Sequence, residues 1–466
     1  MPILFSSFRR KSSIKLLGCL LFAVLLLAGG AAQARHHFTA ANAQFSGPRL
    51  TSELTGSLPM HQGDHLHLST DLGSIVVHSG NFGKVDYSVH LETDAAQKDA
   101  PALLKSFTIS ARPAADGVAL IARAAGRHST GRLWVTLDLN VPKDASLDVS
   151  TGGGDIDVSE IGGRVTLSTA GGNITAAGIG GAAHLETGGG NIVAKSTGGE
   201  LTAETGGGHI TVGSVGGSAT LHTSGGHIRV TSIQGSARLS TGGGNITLEH
   251  SGAELTAETG GGEIEVGEAA GLVRAKTAGG GIRVVRVFGP TDLQTAGGSI
   301  YLTQVDSPVK ASTGAGGITA WLVTPAKAGG AAPGATDLQS AAGDIIVHIP
   351  RELAVTIDAR IQMGSDHQLI VDPAFPLKVS YDDPARHTRA VRAEGALNGG
   401  GELLRLRTVA GNIQLVLSDT GQQAQLYKQQ MEKLELRMQM PRPDVPGAAG
   451  EDLPGAAHHG DVARMF

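Results

Sequence analysis

Thr205-Gly206-Gly207-Gly208-His209-Ile210-Thr211-Val212 opens a unit of 18 residues that closes at His222 and starts again at Thr223. Ile210 and Val212 alternate with His209 and Thr211, the two-residue period of a strand with one face in water. Outward in both directions the unit recurs. Thr151, Thr169, Thr187, Thr205, Thr223, Thr241, Thr259, Thr277, Thr295 and Thr313 are spaced by 18 residues. Each is followed three residues later by a glycine, Gly154 to Gly316, and two further on by an isoleucine, Ile156 to Ile318. Strict self-similarity at this period marks a solenoid, in which each coil of chain stacks on the next. The fold class expected is all-β: a parallel β-solenoid with two-strand coils, irregular β caps and a short C-terminal helix.

Counting each unit from its threonine, positions 6 and 8 are aliphatic, as in Ile210/Val212, Ile228/Val230 and Ile264/Val266. Positions 15 and 17 are small or aliphatic, as in Val165/Leu167, Leu201/Ala203 and Ala237/Leu239. Spacing of two within each pair gives two short strands per coil. Positions 5, 7 and 9 hold polar residues such as Asp155, Asn173, Thr175, Arg229 and Glu265, so that face is expected to meet water. Glycine-rich corners separate the strands, and positive φ is the expected reason for glycine at position 4. Replacing Gly208 or Gly244 by valine is therefore expected to distort a corner. The threonine shares the parity of positions 15 and 17. It should point inward, its hydroxyl bonding along the axis or to corner amides.

Weaker echoes of the unit lie outside the ten regular ones: Thr70/Gly73/Ile75/Val77, Ser340/Gly343/Ile345/Val347 and Thr408/Gly411/Ile413/Leu415. Residues 35–150 read as an irregular β region that blunts the first edge, and 151–323 as the regular solenoid. Residues 324–335 are a Pro/Gly/Ala insertion, and 336–419 are degenerate closing coils. Open ends of a solenoid expose unpaired strand edges, so irregular ends serve a physical purpose. Tyr427, Met431, Leu434 and Met438 share one face of a helix over 420–440, which is expected to cap the last coil, with a short coiled-coil contact as the alternative. The tail 441–466 has the composition of a disordered segment.

The 466 residues include 69 glycines and only 3% aromatics, yet 40% are hydrophobic. That excludes an aromatic-rich core and general disorder alike. Arg9, Arg10, Lys11 and Lys15 precede an apolar run from Leu16 to Ala28, and Ala32-Gln33-Ala34 supplies a cleavage site. Residues 1–34 thus read as a secretory signal cut after Ala34. An uncleaved anchor is the alternative, since Leu16 to Ala32 is near the lower limit for a span. Lipidation at Cys19 fits less well, because Leu16-Leu17-Gly18-Cys19 opens the apolar run and does not close it. Removing this segment takes four positive charges from a chain of net charge −5, leaving −9. Nucleic acid is therefore not an expected partner. Cys19 is the only cysteine, so the mature chain has neither disulfides nor zinc thiolates.

No residue acquires a catalytic, cofactor or metal role. The glycine runs lack the Gly-Lys-Ser/Thr ending of a phosphate loop, and position 5 lacks the aspartate column of a calcium β-roll. His209 and His227 should stack on adjacent coils, flanked by Asn191 and Asn245, without a third metal ligand in the column. Glu186 and Glu204 stack likewise and repel. Asp155 with Asp157, and Glu263 with Glu265, form outward pairs, but no cluster unites acid, base and charge stabiliser. Outward threonines at positions 7 and 16 are interrupted by Arg229, Arg283, His184 and Arg238, as expected of ordinary polar strand faces.

The T-G-G-G-x-I-x-V and G-G-x-V/A-x-L units, Thr205 to Val212 being a good instance and Thr408 to Leu415 a degenerate one, resemble the bacterial putative-adhesin family of β-strand-repeat proteins. The resemblance covers roughly residues 66–90 and 151–417. It implies a β-solenoid in the envelope or at the cell surface, with adhesion as the inferred role and no catalytic residues to carry over. The expected function is a non-enzymatic exported solenoid presenting an extended polar surface to a cell-surface polymer or protein. Membrane contact is expected only through an uncleaved N-terminus. The alternatives are a carbohydrate-active β-helix using surface carboxylates, and an architectural or self-associating spacer.

Overall fold

Each regular unit in the computed structural model lays down two strands, and each strand pairs in parallel with its counterpart 18 residues on, except where the last unit pairs across the insertion. Ile210–Val215 pairs with Ile228–Ile233 so that Ile210 faces Ile228, and Leu201–Thr205 pairs with Ala219–Thr223 so that Thr205 faces Thr223. Two long sheets result, one through the isoleucines and one through the threonines. The structure describes residues 45–46, 49–94, 100–124, 133–305, 307–323, 335–363, 367–381 and 390–439. The expected signal segment, nearly all of the 324–335 insertion and the 441–466 tail lie outside these residues.

The core between the sheets is built of columns. Ile210, Val212, Ala219 and Leu221 are buried, as are their equivalents in neighbouring coils. A further inner column stands at position 11, where Ile161, Ile179, Val215, Ile233, Ala269 and Val287 are buried. Strict alternation from position 6 would put position 11 outside. The chain bends at positions 9 and 10 instead, and the pairing of Ile210–Val215 with the next strand skips Gly213. Two consecutive outward residues shift the parity by one, and position 11 turns inward.

The threonine column explains its own invariance. The Thr223 Oγ1 donates to the Gly208 carbonyl of the preceding coil at 2.8 Å and accepts the Gly226 N–H of its own coil at 3.1 Å. Thr205 does the same with Gly190 and Gly208, and Thr241 with Gly226 and Gly244. One hydroxyl thus satisfies a corner carbonyl and a corner amide that sheet pairing leaves over. Ser340 repeats the arrangement in a degenerate coil.

Glycine at position 4 has a different cause from the one expected. Among the ten regular coils only Gly154 has a left-handed φ at this position, +131°. A Cβ on Gly208 would instead lie 1.9 Å from the Gly190 carbonyl oxygen. The corners stack so closely that backbone fills the space a side chain would need. Gly207, one residue earlier, would meet nothing within 4 Å.

The three echoes are true coils: Thr70 and Ile75 face Thr151 and Ile156, Ser340 faces Thr313, and Thr408 faces Ser340. At the N-terminal end, Arg49–Pro59, Lys84–Asp94 and Leu133–Pro142 extend the isoleucine sheet, joined to one another by antiparallel pairing. The hairpin Phe107–Ala114/Gly117–Ala124 extends the threonine sheet, and a short helix, α1 (Ala100–Ser106), lies among these strands. At the other end the chain skips a layer. Val355–Ile361 lies outboard, and Glu402–Thr408 returns to fill the gap between it and Thr336–Ser340. Antiparallel strands Val391–Leu397 and Lys378–Tyr381 finish the stack.

That return places Ser418 beside Pro350 inside the stack. The second helix, α2 (Thr420–Gln439), therefore starts on the flank and does not cap the last coil. It folds back along the outer face of the isoleucine sheet. Gln423 donates to the Leu322 carbonyl at 2.7 Å, and Arg437 reaches Glu265 at 2.6 Å. Leu434 is fully buried against Gly267, where the missing side chain leaves a notch.

Two substitutions test this frame by thermal or urea unfolding. Gly208→Ala is expected to cost on the order of 1–3 kcal/mol through overpacking, while Gly207→Ala stays within about 0.5 kcal/mol. Thr223→Val keeps the shape but strands a buried carbonyl and amide, for an expected loss of about 2 kcal/mol or more.

Candidate functional surface

With the inner columns fixed by packing, the outward columns are left for recognition, and α2 decides which of them are open. Under it, outward positions are closed off: Glu249, Glu265, Gly267, Val285 and Thr303 are all buried. Glu265 is paired with Arg437 at 2.6 Å and Arg283 at 3.7 Å. Glu268 takes the Tyr427 hydroxyl and lies 3.6 Å from His250. Burial pushes the Glu249 carboxyl above the usual range, with His250 opposing and Glu435 of the helix adding to the rise. The expected outward pair Glu263/Glu265 is thus divided: Glu263 is exposed and Glu265 is roofed. The polar pattern was readable. The roof was not, although the run Val284-Val285 breaks outward polarity at the place where the helix docks.

On the threonine sheet a shallow trough of about 550 Å³ follows the stack axis along one corner. Ser240, Glu258, Lys276, Gln294 and Ser312, all at position 18, form one wall, and the small residues Gly260, Ala278 and Ala296 at position 2 form the other. Five coils at ~4.8 Å give it a length on the order of 20 Å. Glu258 and Lys276 face one another in register, as do Glu186 and Glu204 further down the same column. Near the trough Arg274 pairs with Glu254 at 2.5 Å. Among the described residues no group of three or more His, Cys, Asp or Glu could hold a metal ion.

The opposite flank of the same corner carries a side-chain ladder at position 5. Asp155 Oδ1 accepts the Asn173 N–H at 2.7 Å, Asn173 Oδ1 accepts that of Asn191 at 2.9 Å, and Asn191 Oδ1 accepts that of His209 at 2.8 Å. The imidazoles continue the pattern. His209 Nδ1 accepts the His227 N–H at 2.9 Å, and His227 Nδ1 accepts the Asn245 N–H at 2.8 Å. Their rings stack with centroids 5.1 Å apart and planes 8° from parallel. The expected stacking is present, and its purpose is to satisfy corner amides. Accepting at Nδ1 assigns each ring the neutral tautomer with the proton on Nε2.

No protein-family model matches this sequence, and no curated protein matches it. Among solved structures, one described as a putative cell adhesion protein from Clostridium sporogenes ATCC 15579 is similar, at 9% identity and a TM-score of 0.17, over 79% of this chain and 100% of that one.

Burial, and secondarily the nearby Arg229, hold the His227 imidazole below its ordinary value of 6.5, and burial holds His348, stacked on Trp321 at 3.6 Å, below it too. A depressed folded-state value means the unfolded chain takes up protons first. The stability contributed is present above pH 6.5 and is lost as pH falls from there through the folded-state value. His227→Asn keeps an acceptor for the ladder and removes that titration. Its melting temperature is expected to fall less between pH 7 and pH 5 than that of the native protein, with His348 retaining part of the slope.

Proposed function

We propose that this chain is a non-enzymatic, exported, adhesin-like solenoid that presents its uncovered polar columns to an extended polymer or protein partner at the cell surface or in the envelope. The observation that carries the reading is the trough, which runs unbroken over five coils. A linear partner lying in it would meet side chains at one fixed interval, so contact energy adds with length, as in other solenoids that bind along an extended face. Export rests on the N-terminal segment 1–34, and the negative charge of the mature chain disfavours nucleic acid. No helix among the described residues is long and apolar enough to cross a membrane.

The carbohydrate-cleaving alternative draws less support. A glycosidase needs two carboxylates flanking one bond at a defined separation. The buried carboxylates Glu249 and Glu265 lie beneath α2 on the flank away from the trough. Glu258 has Lys276 as its register neighbour in the trough wall.

Residues 35–466 are expected to sediment with cell-wall or matrix material, and to do so equally with chelator present. Absence of binding to cells, glycans and matrix alike would refute adhesion. New reducing or unsaturated ends on incubation with a polysaccharide panel would favour the enzyme instead.

A further inference from the structure

The position-5 ladder has a chemical consequence beyond stability. In every rung from Asn191 to Asn245 the acceptor atom of the side chain is already used by the amide of the next coil. What remains facing solvent is therefore a donor: Nδ2 of Asn191, Nε2–H of His209, Nε2–H of His227 and Nδ2 of Asn245. Four consecutive coils each turn a hydrogen-bond donor outward at this position, one every ~4.8 Å. Arg229 stands in the adjacent outward column on the His227 strand, with Thr211 and Thr247 as its register neighbours. Among the described residues no carboxylate pairs with it. Acidic residues bound the column at both ends, Asp155 on one side and Glu263 on the other. The middle is a strip of donors with one permanent cation, set in a protein whose net charge is negative.

We propose that this strip, Asn191 to Asn245 with Arg229 beside it, is a binding site for a linear glycan bearing oxyanions, carboxylate or sulfate, on successive sugars. The proposal rests on the adhesion reading and adds to the trough a second contact strip across the corner, with the chemistry of its ligand. An oxyanion accepts from N–H groups and gains most from those that are fixed in advance. The ladder fixes them, because the acceptor end of each side chain is tied to the backbone. Spacing favours a glycan over an acidic peptide. An extended peptide presents side chains on one face every ~6.6 Å, out of step with the coils, whereas a glycan carries hydroxyl as well as oxyanion acceptors on every ring and suits a strip of donors in which only Arg229 brings a permanent charge.

The test measures binding of the full mature chain to polygalacturonate, dextran sulfate, uncharged dextran and poly-glutamate by affinity electrophoresis and calorimetry. Polygalacturonate or dextran sulfate is expected to bind, and the comparison between them identifies the oxyanion. Asn245→Asp keeps the acceptor that the ladder needs, as Asp155 does natively, and turns the outward donor into an acceptor. It is expected to weaken binding about tenfold or more with the melting temperature retained. Arg229→Thr, which matches its register neighbours, should weaken it also. Thr202→Asp, a control of equal charge on the opposite sheet and outside the trough, should leave it unchanged. Equal weakening by Thr202→Asp, binding no tighter than to dextran, or poly-glutamate bound as well as the glycans would each overturn the proposal. If these fail while the protein still sediments with wall material, the strip is wrong and adhesion stands. If wall binding is absent too, both fall.

Discussion

One hydroxyl bridging two coils is the interaction on which the rest of the molecule depends. The threonine at the start of each unit closes the same corner twice, as donor to the coil before it and acceptor from its own. It can do so only if the corner glycines approach to backbone contact, which forbids a Cβ at position 4. Close corners in turn hold the strands in parallel register, so that isoleucine stacks on isoleucine along the axis. The invariant triplet of Thr, Gly and Ile is thus one device, in which hydroxyl, bare backbone and aliphatic side chain each require the other two.

Fixing the inner columns in this way frees the outer ones. Position 5 shows how a variable column can still contribute to the frame: Asp, Asn and neutral His are interchangeable there because each offers an acceptor to the amide above. The same constraint turns the free ends of Asn and His into donors. Stability and surface chemistry are coupled through a single side chain, each taking one end of it. On the other flank the trough has no such tie, and its wall mixes Glu, Lys, Gln and Ser.

Much of this is legible in the sequence. The period, the two strands per coil, the inward threonine, the stacked histidines and the three echoes all follow from spacing, and the parallel pairing bears them out. Three features are not. The buried column at position 11 escaped because a bend at positions 9 and 10 resets the alternation, and alternation counts residues, not angles. A glycine-rich corner suggests positive φ at position 4, while the contact that excludes a side chain comes from a residue 18 positions away. A C-terminal helix after the last echo implies a cap on the end of the stack, but the last coil is threaded one layer in, and the helix leaves from the flank.

By itself, then, the sequence determined the repeat, the strand faces and the identity of the columns, because these depend on periodicity along the chain and a solenoid brings equivalent residues together by construction. Only the tertiary structure decided which columns are open. The helix, arriving from some 170 residues away, buries Glu265 and leaves Glu263 exposed, though the two are alike in type and parity. Periodicity can state which way a side chain points. What covers it depends on a non-repeating segment, whose resting place is set by a notch at Gly267 and a few charges that no local pattern relates to it.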